Sequence, residues 1–137
     1  VKIFFDSSAF AKRYVYESGS EKIEALCQQA SYLGVSVICV PEVISALTRL
    51  LRESKLTSTQ YKKCKQALVE DVSDAVVCLL APITISRSIH IMESSVVRAM
   101  DALHIACALL WEAELFVTSD KKQFIAAEQA GLSAFIV

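Results

Sequence analysis

A chain of 137 residues holds one domain with a real hydrophobic core and leaves little room for a second. Fourteen Lys and Arg against fifteen Asp and Glu give a net charge of -1, so no global positive field advertises a polyanionic partner and a nucleic acid would need a local basic rim. An apolar fraction of 54% with only three Gly and two Pro excludes a disordered or low-complexity chain.

Cys27, Cys39, Cys64, Cys78 and Cys107 are odd in number, widely spaced and mostly set among apolar neighbours. They read as reduced, buried thiols, with no CxxC pair to suggest zinc or redox chemistry. The longest apolar stretch, around Ala75 to Ile83, is about half of a membrane span. No charged leader precedes the first apolar run. The expectation is a soluble, cytoplasmic protein with no membrane role.

In chain order, Val1 to Phe5 is a short apolar run broken only by Lys2, the pattern of a strand buried on both sides in a parallel sheet. It ends at Asp6. Ser7 and Ser8 offer caps for a helix over Ala9 to Tyr16, and a second helix is predicted over Glu21 to Ala30. The β-branched run Ser36 to Val40 predicts the next strand, closed by Pro41. Because proline suits a first helical position, Glu42 is expected in the first turn of a helix reaching about Ser54, with Val43, Leu47, Leu50 and Leu51 inward. Thr57 and Gln60 have the spacing of a capping box that opens a more polar helix through Tyr61, Leu68 and Val72. On it, Lys62, Lys63 and Lys65 form the densest basic cluster, which reads first as a solvated face and second as a phosphate or partner contact.

Val76 to Leu80 predicts a third strand, with Ala81 to Ile85 competing for that role, ahead of a short helix over Arg87 to Glu93. Val96 to Trp111 is apolar nearly all the way round, as for a helix packed between other elements. Leu115 to Thr118 is the fourth strand, Lys121 to Ala130 the last helix with Gly131 as its C-cap, and Ala134 to Val137 a fifth strand. This alternation predicts an α/β fold, a three-layer α/β/α sandwich on a mostly parallel five-stranded sheet, with residues 1–137 as one domain.

Open α/β sheets bind ligands beyond the carboxyl ends of their strands. Asp6 ends the first predicted strand, Glu42 lies two residues past the second, and Asp120 two residues past the fourth. Asp101 is the odd one out, a carboxylate on an apolar helix whose i-4, i+4 and i+7 neighbours are Val97, Ile105 and Ala108. It needs a cation, a donor or a wet cleft. Taken singly, each acid has a plainer reading: Asp6 and Asp120 as helix caps, Glu42 as a helix-dipole partner, Asp101 as the mate of Arg98 or His104. Taken together they do not. Two unit charges about 4 Å apart repel by roughly 4 kcal/mol at an effective dielectric of 20. Converging carboxylates therefore call for shifted protonation or a hard divalent cation such as Mg²⁺ or Mn²⁺.

The opening Ile3-Phe4-Phe5-Asp6-Ser7-Ser8-Ala9 resembles the first motif of the PIN-domain nucleases, specifically the VapC-type toxins of prokaryotic toxin–antitoxin pairs. Pro41-Glu42-Val43 followed by Ser45-Ala46-Leu47 resembles their second motif, and Arg98-Ala99-Met100-Asp101-Ala102-Leu103-His104-Ile105-Ala106 the third. Phe116-Val117-Thr118-Ser119-Asp120, then Phe124, Ala127 and Gly131-Leu132, resembles the fourth. The resemblance implies an α/β/α sandwich, magnesium- or manganese-dependent cleavage of RNA, frequent homodimerisation and neutralisation by a small antitoxin. It also implies Asp6, Glu42, Asp101 and Asp120 as catalytic metal ligands, with Thr118 as the hydroxyl beside the last acid. The family also contains RNA-processing nucleases without an antitoxin.

Lys12, Arg13, Arg49, Arg52 and Lys121 are the candidates for RNA contact, each weighed against an ordinary solvated charge. His104, one turn beyond Asp101, invites a general-base reading, but its apolar neighbours favour a hydrogen-bonded packing histidine. A noncatalytic interaction domain retaining the acids is a rival of another class. A phosphotransfer domain is a poorer one, because it needs adjacent acids on one strand and this chain has none.

Overall fold

The computed structural model describes residues 1–137. In chain order the elements are β1 (Lys2–Phe5), α1 (Ser7–Phe10), a 3₁₀ turn (Ala11–Arg13), α2 (Ser20–Gln29), β2 (Tyr32–Ser36), α3 (Cys39–Arg52) and α4 (Ser58–Asp74). β3 (Val76–Cys78), α5 (Pro82–Ser94), α6 (Ala99–Trp111), β4 (Leu115–Thr118), α7 (Lys121–Gln129) and β5 (Ala134–Ile136) follow. The strands lie in the order β3-β2-β1-β4-β5, and every neighbouring pair is parallel. The chain thus builds outward from β1 on one side, then returns to lay β4 on the other. The reversal between β1 and β4 is the switch point at which such sheets open a crevice.

Alternation along the central strands sorts the core into two halves. Ile3, Phe5, Val35 and Val117 pack with Phe10, Ile23, Leu26, Val43, Leu47 and Leu68 from the first four helices. Phe4 and Phe116 point the other way, against Ile91, Ile105, Ala106, Ala126 and Ala127 of the last three. The sheet is therefore covered on both faces, as the three-layer expectation requires. Phe4 and Phe116 stack at 5.8 Å, and the edge of His104 meets Phe4 at 6.5 Å, so this aromatic layer also supports a residue of the crevice. All five cysteines are free, and burial pushes the Cys39 thiol up to about 12. No single helix is long and apolar enough to cross a membrane.

Several boundaries differ from expectation. The second strand is Tyr32–Ser36, not Ser36 to Val40. Gly34 argues against a strand by propensity, yet it is where the Trp111 ring lies on the sheet: a Cβ there would stand 2.4 Å from Trp111 Cζ3. The β-branched residues after it turn into α3, which begins at Cys39 and takes Pro41 as its third residue, where the missing N–H is not needed. Glu42 still falls in the first turn, but six residues past the strand end and not two. α1 is shorter than Ala9 to Tyr16 and is capped by Asp6, not by the serines. Ala81 to Ile85 is not a strand, because Pro82 opens α5, and the last apolar helix starts at Ala99 and not at Val96. The capping box of Thr57 and Gln60 forms as expected, and Gly131 adopts the positive φ of 99° that ends α7.

Candidate metal centre at the switch point

Asp6, Glu42, Asp101 and Asp120 arrive from four different elements on the walls of one cleft of about 230 Å³, together with Ser7 and His104. Asp6 follows β1 directly and is only 1% exposed. Its carboxylate is held by Ala9 N–H at 2.9 Å, by the Ser8 hydroxyl at 2.8 Å and by the Thr118 hydroxyl at 2.6 Å. Thr118 Oγ1 in turn accepts the Asp120 N–H, and Ser8 Oγ accepts the Ser119 N–H. The ends of β1 and β4 are thus laced together by hydroxyls around one carboxylate. Burial pushes Asp6 above the usual carboxylate range, only partly offset by the Thr118 hydrogen bond, the His104 charge and the other donors.

Glu42 rises from the first turn of α3, where the helix dipole favours it. Its Oε1 accepts from the Ser7 hydroxyl at 2.7 Å and stands 2.5 Å from His104 Nε2. An ionised carboxylate can only accept, so Nε2 carries the proton in this contact. Desolvation raises Glu42, but the hydrogen bonds of His104 and Ser7 and the charges of His104 and Arg98 outweigh it and hold the carboxyl below its ordinary value. Asp101 moves the opposite way. Burial and the charge of Asp120 raise it against the pull of Arg98, whose Nε lies 3.6 Å from Asp101 Oδ2.

Asp120 caps α7 through the N–H groups of Lys122 and Gln123, so the plain reading of that acid holds alongside its position in the cleft. The same is true of Asp6, which caps α1.

Hard oxygen donors of this kind suit Mg²⁺ or Mn²⁺, and the like-charge repulsion at Asp101 is what a cation relieves. The side chains stop short of a closed cage, since no three His, Cys, Asp or Glu side chains stand ready to hold one ion together.

The PIN domain family matches residues 3–129. Ribonuclease VapC45 of Mycobacterium tuberculosis is 30% identical over 108 residues, 78% of this chain and 74% of that protein. The chain belongs to the PIN-domain family and is of the VapC type. At lower identity, two solved structures share the fold. The toxin–antitoxin complex from Klebsiella pneumoniae aligns with a TM-score of 0.68 at 17% identity, covering 89% of each chain. M. tuberculosis VapC20, described as a sarcin–ricin loop cleaving toxin, aligns with a TM-score of 0.68 at 14% identity, covering 95% of each chain.

The candidate basic residues of this PIN domain separate into three groups. Lys12 donates to the Ser18 carbonyl and lies near Glu17, while Arg13 pairs with Glu24 and Asp71, so both spend their charge inside the chain. Arg49 and Arg52 are exposed in the last turn of α3. Ten residues beyond Glu42, Arg52 is about 15 Å along the helix from the acids. Lys121 alone of the five borders the acids, in an adjoining groove with Lys122 and Arg98.

Sequence reasoning missed Ser7 and Ser8 as carboxylate donors, because serines after a strand read equally well as caps. His104 is the hydrogen-bonded packing histidine that the sequence favours: the ring is 2% exposed against Phe4, and Nε2 bonds to Glu42, one of the acids of the cleft. Gln123, buried and donating to the Asp101 carbonyl, carried no signal in the sequence beyond its distance from Asp120.

Proposed function

We propose that the chain, as one PIN-like nuclease domain over residues 1–137, is an Mg²⁺- or Mn²⁺-dependent endoribonuclease and the toxin of a type II toxin–antitoxin pair. What carries the reading is the gathering of Asp6, Glu42, Asp101 and Asp120 from four elements onto one cleft at the sheet's switch point. The ribonuclease name of the M. tuberculosis relative and the toxin–antitoxin complex of the same fold support it.

Asp6, Asp101 and Glu42 are the residues that would hold the ion, with Asp120 completing the pocket. A divalent ion in that pocket would activate an attacking water and neutralise charge developing on the phosphoryl oxygens. The protein's own part is orientation. Thr118 and Ser8 fix the Asp6 carboxylate, while Ser7 and His104 fix one oxygen of Glu42 and leave the other free. Cations at the groove edge draw the RNA backbone toward acids that would otherwise repel it. We further propose a cytoplasmic homodimer, silenced by a small antitoxin that covers the cleft.

The test is cleavage of a broad panel of single-stranded RNAs by antitoxin-free, monodisperse protein. Cutting should appear with Mg²⁺ or Mn²⁺, stop with EDTA and vanish in Asp101→Asn. Metal-loaded wild-type protein that leaves the whole panel intact would overturn the nuclease in favour of a noncatalytic interaction domain. A short open reading frame beside the gene, whose product copurifies with the chain, is expected for a toxin; its absence favours an RNA-processing nuclease.

A further inference from the structure

The acid cleft does not end at Asp101 and Asp120. These two acids and Arg98 also line a larger groove of about 510 Å³, whose other walls include Val96, Lys121 and Lys122. Val96 and Lys122 in turn border a third hollow of about 180 Å³ with Ile125 and Ala126. Three hollows therefore share walls in series: an acidic one, a cationic one and an apolar one.

The cations of the middle groove stand where helix stability does not want them. Lys121 and Lys122 are the first two residues of α7, and Arg98 is the N-cap residue of α6. A positive charge at a helix N-terminus opposes the helix dipole, so stability of these helices gives no account of all three. Neither lysine has an acidic partner within 4.0 Å, and Arg98, 87% exposed, has only its 3.6 Å pairing with Asp101. Beyond them, Val96 is 82% exposed and Ile125 45%, an apolar pair kept open to water at the end of a charged groove.

An unpaired strand of nucleic acid has this alternation of chemistry, with phosphates that want cations and bases whose faces want apolar cover. A duplex hides its base faces. We infer that the series is a track for single-stranded RNA: Arg98, Lys121 and Lys122 hold the phosphodiester next to the one in the acid cleft, and the hollow at Val96, Ile125 and Ala126 takes an unpaired base. The inference deepens the nuclease reading and rests on it only for which phosphate lies against the acids.

The experiment is fluorescence anisotropy of a labelled single-stranded RNA oligonucleotide over a salt series in EDTA, where metal-dependent cutting cannot interfere. Each phosphate neutralised on a single strand contributes about 0.7 to the slope of log affinity against log salt. Arg98→Gln should lower the slope by about 0.7 and the Lys121→Gln/Lys122→Gln pair by about 1.4, each with weaker binding. The Val96→Ser/Ile125→Ser pair should weaken binding several-fold with the slope unchanged. Lys62→Gln/Lys65→Gln, on the exposed face of α4, should change neither.

An unchanged slope in the cation variants, or an equal loss in the α4 control, overturns the phosphate track. Full affinity in the apolar pair, or equally tight binding of the duplex form of the same oligonucleotide, overturns the base hollow. Melting temperatures of the variants exclude unfolding as the cause. A protein that follows the expected pattern but never cuts RNA refutes the nuclease reading and leaves the track standing.

Discussion

His104 and Glu42 are 62 residues apart in the chain, and His104 Nε2 lies 2.5 Å from Glu42 Oε1. Glu42 belongs to α3, whose core residues pack on one face of the sheet, and His104 to α6, which packs on the other. Their contact joins the two layers at the edge where the acids collect. His104→Ala should free Glu42 and weaken Mn²⁺ binding by about 10- to 100-fold, the usual effect of losing a group that orients a ligand. His104→Gln, which keeps an N–H donor near the same point, should recover part of it. Isothermal titration of EDTA-stripped protein measures this, and an alanine variant with wild-type affinity would refute the orienting role.

Thr118 makes a separable contribution. Its hydroxyl donates to Asp6 Oδ2, and Thr118→Val keeps the shape while leaving that buried acceptor short of a donor. A loss of about 1–3 kcal/mol in denaturant unfolding is expected, together with a 10- to 100-fold fall in cleavage rate. Thr118→Ser should retain most of both. A valine variant as stable as wild type would show that water replaces the hydroxyl.

Asp101 should behave as a residue kept at the expense of stability. Burial first, then the Asp120 charge, raises its pKa above the ordinary aspartate value. A carboxyl raised in this way holds its proton more firmly folded than unfolded. Folding stability therefore falls as pH rises from the unfolded value through the folded one, and the deficit persists above that window. Asp101→Asn removes the charge, so its melting temperature in EDTA should exceed wild type at pH 7. The difference should shrink as pH falls below the unfolded value. A variant that melts at or below the wild-type temperature at pH 7 would contradict the repulsion.

Gly34 and Trp111 form a close approach between the sheet and a helix that covers it, with no room for a Cβ on the strand. Gly34→Ala should cost about 1–3 kcal/mol through overpacking. Combining it with Trp111→Leu should cost less than the sum of the two single changes, because the smaller side chain vacates the space the methyl needs. Chemical denaturation of the four proteins of this cycle reads the coupling, and strict additivity would mean that the ring moves aside without strain.

Much of the fold is legible because its signals are local. Val1 to Phe5 and Leu115 to Thr118 read as buried strands from their apolar continuity, and Thr57 with Gln60 marks a helix start through its own hydrogen bonds. The second strand was misplaced because its decisive contact is not local. At Gly34 the Trp111 ring, far along the chain, occupies the space that a Cβ would take. Ser36 to Val40 has the stronger β-branched signal, but the parallel register with β1 runs through Tyr32, Leu33 and Gly34.

The candidate site divides in the same way. The amino-acid sequence by itself singled out acids that the structure places on one cleft, because Asp6 and Asp120 stand near strand ends and Asp101 interrupts an apolar helix, anomalies visible without coordinates. Only the tertiary structure decided which neighbours serve them. Ser7 and Ser8 are ordinary residues, and Thr118 and His104 have no assigned acceptor, until β1, β4, α3 and α6 converge, since a hydrogen bond depends on distance in space and not on separation in sequence. It likewise separated Lys121, at the groove, from Lys12 and Arg13, whose charges are bound within the chain. A charge's availability depends on its partners, and those partners are fixed by folding.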